Sequence, residues 1–198
     1  MVVGIGTVTA NTGAATIKTP GVSGTNLYVA AGYTWYGAAT VQRMTWNGAT
    51  GMSGYAFVSD GHRSLILAVA GIAEALGGVN VQTCAGALSE AVKGVIWFTG
   101  AQQASIPSDT AVAAAASLEL SNSTGSVVFN HIQNYNAAPV VGAGQTQQWN
   151  IDGGTEIQGA ASTLVTAAAT AIPRWSSTVN PQLAAIQISA EGAGGGAA

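Results

Sequence analysis

The sequence predicts an all-β chain of about ten to twelve antiparallel strands with little helix. Apolar and polar side chains alternate with a period of two along most of its length, which marks half-buried strands. Clusters rich in glycine and Asx residues interrupt the alternation at short intervals. No helical crossover separates the runs, so parallel pairing has no connections to use. An antiparallel sandwich or barrel satisfies all three observations.

Strand character falls near residues 2–9, 14–18, 27–36, 39–46, 65–73, 79–84, 91–99, 109–120, 126–132, 139–148, 155–162 and 182–190. The run 27–36 puts Leu27, Val29, Ala31, Tyr33 and Trp35 on one face and Tyr28, Ala30, Gly32 and Thr34 on the other. Val79, Val81 and Thr83 alternate with Asn80, Gln82 and Cys84, and Leu118 and Leu120 with Ser117, Glu119 and Ser121. Near the end Ala184, Ile186 and Ile188 oppose Ala185, Gln187 and Ser189. Turn clusters at 19–26, 47–51, 59–62, 76–78, 121–125 and 150–154 supply the reversals. Two alanine-rich stretches, 111–116 and 164–171, have helical propensity, but they are short and flanked by Thr and Val, which favours strand or loop. A short helix over 164–172, stopped by Pro173, is the alternative for the second. No repeat of fixed period is visible, which argues against a solenoid. The expected core comprises Leu27, Val29, Trp35, Trp46, Ile66, Ile96, Phe98, Leu118, Leu120, Ile186 and Ile188.

Composition narrows the function. Of 198 residues only 5 are Lys or Arg and 8 are Asp or Glu, so 7% are charged, where soluble domains average about 25%. Five basic residues cannot form a stripe that neutralises phosphates, so nucleic acid is not an expected partner. With 48% hydrophobic residues and a net charge of −3 the chain is not disordered either. Its apolar runs fall well short of the roughly 20 residues that span a bilayer, so no membrane partner is expected. No basic-led hydrophobic segment opens the chain, so no secretory signal is expected. Cys84 is the single cysteine, which rules out an internal disulfide. The polar coat must come from Thr, Ser, Asn and Gln, and such a weakly charged surface suits a protein packed against neighbours.

The residues that carry chemistry are few. Asp60, Gly61 and His62 stand in order, but the nearest serine motif, GMSG at 51–54, lacks the second spacer of a nucleophile elbow. A plain turn accounts for Asp60-Gly61-His62, and His131 reads as an ordinary strand residue. Two histidines and one cysteine at these spacings make no zinc site. Asn150, Asp152 and Glu156 are the best oxygen cluster, too few and wrongly spaced for an EF-hand, and a hairpin turn explains them. Among the eight acids nothing selects a glycosidase pair. GVSGT and GAGQT lack the Lys-Ser/Thr and the helix of a phosphate loop. The expectation is therefore no catalytic residue, no cofactor and no metal. Of five tryptophans, Trp35, Trp46 and Trp97 read as core, while Trp149 and Trp175 sit beside turns and are the candidates for exposed surface contact, including stacking on a sugar.

The order of several motifs resembles a family. LYVAAGYTWYG (27–37), ATVQRMTWNGATGM (39–52), AVKGVIWFTGAQQ (91–103) with Pro107 soon after, VVGAGQTQQWN (140–150) and LAAIQISAEG (183–192) succeed one another. This resembles the jelly-roll β-sandwich domains of tailed-phage virion proteins and of secreted bacterial surface proteins, over most of 25–190. It departs at 74–78, where Glu-Ala-Leu-Gly-Gly stands in place of a Pro-Ala-x-Gly turn. The resemblance divides the chain into an N-terminal arm with strands (1–24), the jelly-roll sandwich (25–190) and a Gly/Ala-rich tail (191–198). It implies a non-enzymatic structural protein of a phage particle, foremost a capsid decoration (cement) protein. The partners implied are the major capsid protein or other virion proteins, with self-assembly into a homo-oligomer. A tail or fibre component, or a carbohydrate-binding module, is the alternative. A hydrolase using Asp60, His62 and a serine is the third reading.

Overall fold

A computed structural model of the chain describes residues 2–13, 17–18, 26–37, 45–46, 50–61, 63–72, 80–81, 88–103, 109–176 and 179–192. The first half contributes β1 (Gly4–Thr12), β2 (Ile17–Lys18), β3 (Leu27–Gly37), β4 (Thr45–Trp46), β5 (Thr50–Gly51), β6 (Ser53–Ser59), β7 (Arg63–Ile72), β8 (Asn80–Val81) and β9 (Leu88–Thr99). The second contributes β10 (Asp109–Ala113), β11 (Leu120–Ser121), β12 (Val127–Asn134), β13 (Val140–Val141), β14 (Gln145–Asp152), β15 (Gln158–Leu164), β16 (Thr170–Ala171), β17 (Trp175–Ser176) and β18 (Gln182–Ile188). Every pairing is antiparallel. Among the described residues there is no helix, and none long and apolar enough to cross a membrane.

Two five-stranded sheets form the sandwich, in the orders β1-β9-β3-β7-β6 and β10-β18-β12-β15-β14. The expected all-β antiparallel architecture is what the chain adopts. Its threading is distinctive. A jelly roll passes successive strands back and forth between sheets, whereas here each half of the chain completes one sheet before the next begins. Four two-stranded ribbons lie outside the main sheets.

The central strands are β3 and β12, and both are buried on both faces. On β3 the small inner residues Ala30 and Gly32 let the opposite sheet approach, while Leu27, Val29, Tyr33 and Trp35 fill the outer side. Tyr28, Ile96, Phe98, Phe129, Trp149, Ile186 and Ile188 make up much of the core between the sheets. A second cluster lies on the far side of the second sheet, where Leu118, Leu120, Ala171 and Trp175 cover Val128, Ile132, Leu183 and Ala185. Of the expected core, Leu27, Val29, Trp35, Ile96, Phe98, Leu118, Leu120, Ile186 and Ile188 are buried. The side chains of Trp46 and Ile66 lie outside the described ones.

Two expectations change. Strand β6 runs where the sequence suggested only turns, because Ser53 and Gly54 dilute the pattern between two turn clusters. The 139–148 run splits into β13 and β14, the latter continuing to Asp152. The 164–171 stretch forms bends and a short strand, as the favoured strand-or-loop reading expects. The strand expected near residues 2–9 is the edge strand of the first sheet, with Val3 buried and Val8 and Ala10 packed on the core.

Candidate contact surface

Among the described residues strand β1 is bonded on one side only, to β9, and none of them pairs with its outer edge. It contains no charged residue and no proline, two of the features that blunt a sheet edge, though it does carry a bulge. A bulge between Ile5 and Val8 shifts its register, and Ile5 is 42% exposed beside Val2 at 66%. Val3, between them, is buried and donates its amide to the Gly125 carbonyl at 3.2 Å. The start of the chain is thus anchored with an apolar edge turned outward, a geometry suited to strand addition. Phe57, Val112, Val140 and Val165 are further exposed apolar side chains, carried by other parts of the sandwich. The tail from residue 193 onward lies outside the described residues.

Both candidate tryptophans are inside. Trp149 is 5% exposed, and its Cε2 and Cζ2 come within 2.5 Å of where a Cβ on Gly94 would stand. Its ring also lies against Phe129 and His131, at centroid distances of 5.6 and 5.5 Å. Trp175 is likewise 5% exposed and donates from Nε1 to the buried Asn130 Oδ1 at 2.8 Å. A position next to a turn suggested exposure, but the bulge at 147–149 and the notch at Gly94 bring Trp149 inward. The sequence signal for it was Gly94 itself, since glycine inside an apolar strand often marks a close approach. Neither ring offers a free face for a sugar.

The remaining candidates do not converge. His62 and Cys84 lie outside the described residues. Asp60 is exposed. His131 is fully buried, and burial pushes its imidazole down to about 3, so it stays neutral. Asn150 donates to the Pro139 carbonyl at 2.7 Å, whereas Asp152 accepts from the Gly154 amide at 2.9 Å and from Gln158 Nε2 at 2.6 Å. The Glu156 amide donates to Glu90 at 2.7 Å. Among the described residues no group of three His, Cys, Asp or Glu could hold a metal ion.

Two residues escaped the sequence reading. The Glu90 carboxylate on β9 accepts from the amides of Thr155, Glu156 and Ile157 at 2.7–3.1 Å and from the Thr155 hydroxyl at 3.1 Å. It fills the turn between β14 and β15 and so clamps the two sheets together. Lys93, two residues further on, is buried with no hydrogen-bond partner for Nζ, and burial lowers its ammonium to about 8. Compared with known families, curated proteins and solved structures, the chain matches none.

Proposed function

We propose that this protein is a non-enzymatic structural component of a tailed-phage particle, foremost a capsid decoration protein that packs on neighbouring subunits. The reading rests on the order of sequence motifs shared with phage sandwich domains. The observation that supports it in the structure is the uncharged, proline-free edge of β1 with Val2 and Ile5 exposed beside it. Its partners are the major capsid protein or other virion proteins, and copies of itself. A tail or fibre position uses the same edge chemistry. Exposed ion pairs are worth only about 0–1 kcal/mol each, and a chain with 13 charged residues has few to offer. Attachment therefore rests on apolar area and on backbone hydrogen bonds from the edge.

Quantifying the protein in gradient-purified particles tests this. A fixed copy number per capsomer or per tail ring is the expected result, and absence from purified particles overturns it.

A further inference from the structure

We infer that the chain is two copies of one five-strand unit fused head to tail, and that the inner face of each half is a recognition surface for the other half. Numbered within its half, each sheet has the same strand order, 1-5-2-4-3, with β1, β3, β6, β7, β9 in the first and β10, β12, β14, β15, β18 in the second. Each carries a bulge at the same place, in strand 3 against strand 4. Tyr55 is the extra residue in one and Gln148 in the other.

Aligning those bulges fixes a residue-by-residue correspondence with no further choice. Ala68 then matches Ser162, and their partners on strand 2, Ala31 and Asn130, match each other. Counting along the strands from there brings three pairs of left-handed residues into coincidence. Asn26 (φ 52°) meets Gly125 (φ 84°) before strand 2, and Gly37 (φ 136°) meets Asn136 (φ 46°) after it. Gly61 (φ 91°) meets Gly154 (φ 134°) in the turn after strand 3. In that turn the Gly61 amide donates to the Ser59 hydroxyl and the Gly154 amide to the Asp152 carboxylate, and Ser59 and Asp152 are themselves a matched pair. Six of the eleven left-handed positions among the described residues pair off under this one alignment, Asn26 and Asn136 among them, which marks a shared backbone design.

The packing obeys the same rule. β1 faces β14 and β10 faces β6; β9 faces β15 and β18 faces β7; β9 faces β14 and β18 faces β6; β3 faces β15 and β12 faces β7. Exchanging the halves turns each contact into its partner and leaves the β3–β12 contact unchanged. That is the signature of a two-fold axis running along the sandwich between β3 and β12, as in an isologous dimer. Gly32 and His131, a matched pair, meet there. At one end of the axis the exits of the two fifth strands join in an antiparallel bridge, Ala101 to Ala190.

A two-fold makes the two ways of joining the halves equivalent. Nine residues lead from Thr99 to Asp109, which matches Thr7 under the same alignment, so nine are enough to lead from Ser189 back to Thr7 in β1. The test is a permuted full-length sandwich: residues 109–192, then the natural connector Ala-Ser-Ile-Pro-Ser, then residues 3–103. It should fold as a monomer that melts cooperatively within about 5 °C of the parent. A second arm places a site-specific protease sequence between positions 105 and 106 of the ordinary chain. After cleavage under native conditions the two fragments should remain together at the mass of the intact protein. Overturning results are a permutant that folds only with a flexible connector of about 20 residues, a permutant that folds with neither connector, or fragments that part on cleavage.

Discussion

Gly32 and His131 meet at the centre of the sandwich with nothing between them. A Cβ placed on Gly32 would overlap the imidazole, and both residues are buried at the crossing of β3 and β12. The glycine is there for the space its missing side chain leaves, on a strand whose neighbours are otherwise aromatic or aliphatic.

Gly32→Ala should therefore destabilise the fold by about 1–3 kcal/mol, the usual penalty for overpacking a filled core. Denaturant unfolding measures it. Gly32→Ala combined with His131→Ala should recover part of the loss, since contacting residues couple by about 0.5–3 kcal/mol. Additive losses would mean that the two side chains do not share one space.

The same histidine sets an acid limit. Its folded value of about 3 lies below the ordinary 6.5, so the unfolded chain binds the extra proton between those values. The neutral imidazole carries no penalty above pH 6.5, and stability falls as pH drops from there toward 3. One proton corresponds to about 1.4 kcal/mol per pH unit, or about 2 kcal/mol lost between pH 7 and 5. His131→Gln should flatten that slope in unfolding experiments. An unchanged slope assigns the acid sensitivity to other groups.

The Glu90 clamp makes a different prediction. Removing the carboxylate in Glu90→Ala leaves the amides of residues 155–157 without their acceptor, a loss of about 1–3 kcal/mol. Glu90→Gln keeps one acceptor oxygen and should lose less. Hydrogen exchange at those three amides should quicken in Glu90→Ala, while exchange in β12 slows or quickens only with global stability. Unaltered exchange at 155–157 would show that the turn holds itself.

How much of this was legible depends on which physical signal a segment carries. β3, β9 and β18 could be read because each holds a long run of strand-forming residues, with Trp35, Trp97, Phe98 and Ile186 among the buried ones. β6 could not, since a short strand between two turn clusters offers too few residues to establish a period. Trp149 and Trp175 looked exposed because proximity to a turn says nothing about which way a bulge rotates a side chain. The doubled architecture was invisible for a related reason. Its matched positions share backbone conformation, while side chains diverged: Gly32 answers to His131, Ala56 to Trp149, and Gly94 to Ala184. A repeat kept in three pairs of φ angles, one bulge and strand order leaves no period in the letters.

The last prediction concerns attachment. If the β1 edge carries it, Ile5→Lys should weaken association with particles, because it places a charge on a neutral edge that a neighbour's strand must approach. The fold should scarcely notice, since Ile5 is partly in water and surface substitutions usually stay within about 0.5 kcal/mol. Deleting residues 2–9 is the poorer experiment, because it would also strip β9 of most of its pairing with β1, one of its two partners. Raising salt from about 0.1 to 1 M shortens the screening length from about 10 to 3 Å, yet contacts built on apolar area and backbone hydrogen bonds should release little protein. Ile5→Lys binding as the parent does would exclude the β1 edge, and release by moderate salt would place the attachment in charged contacts instead.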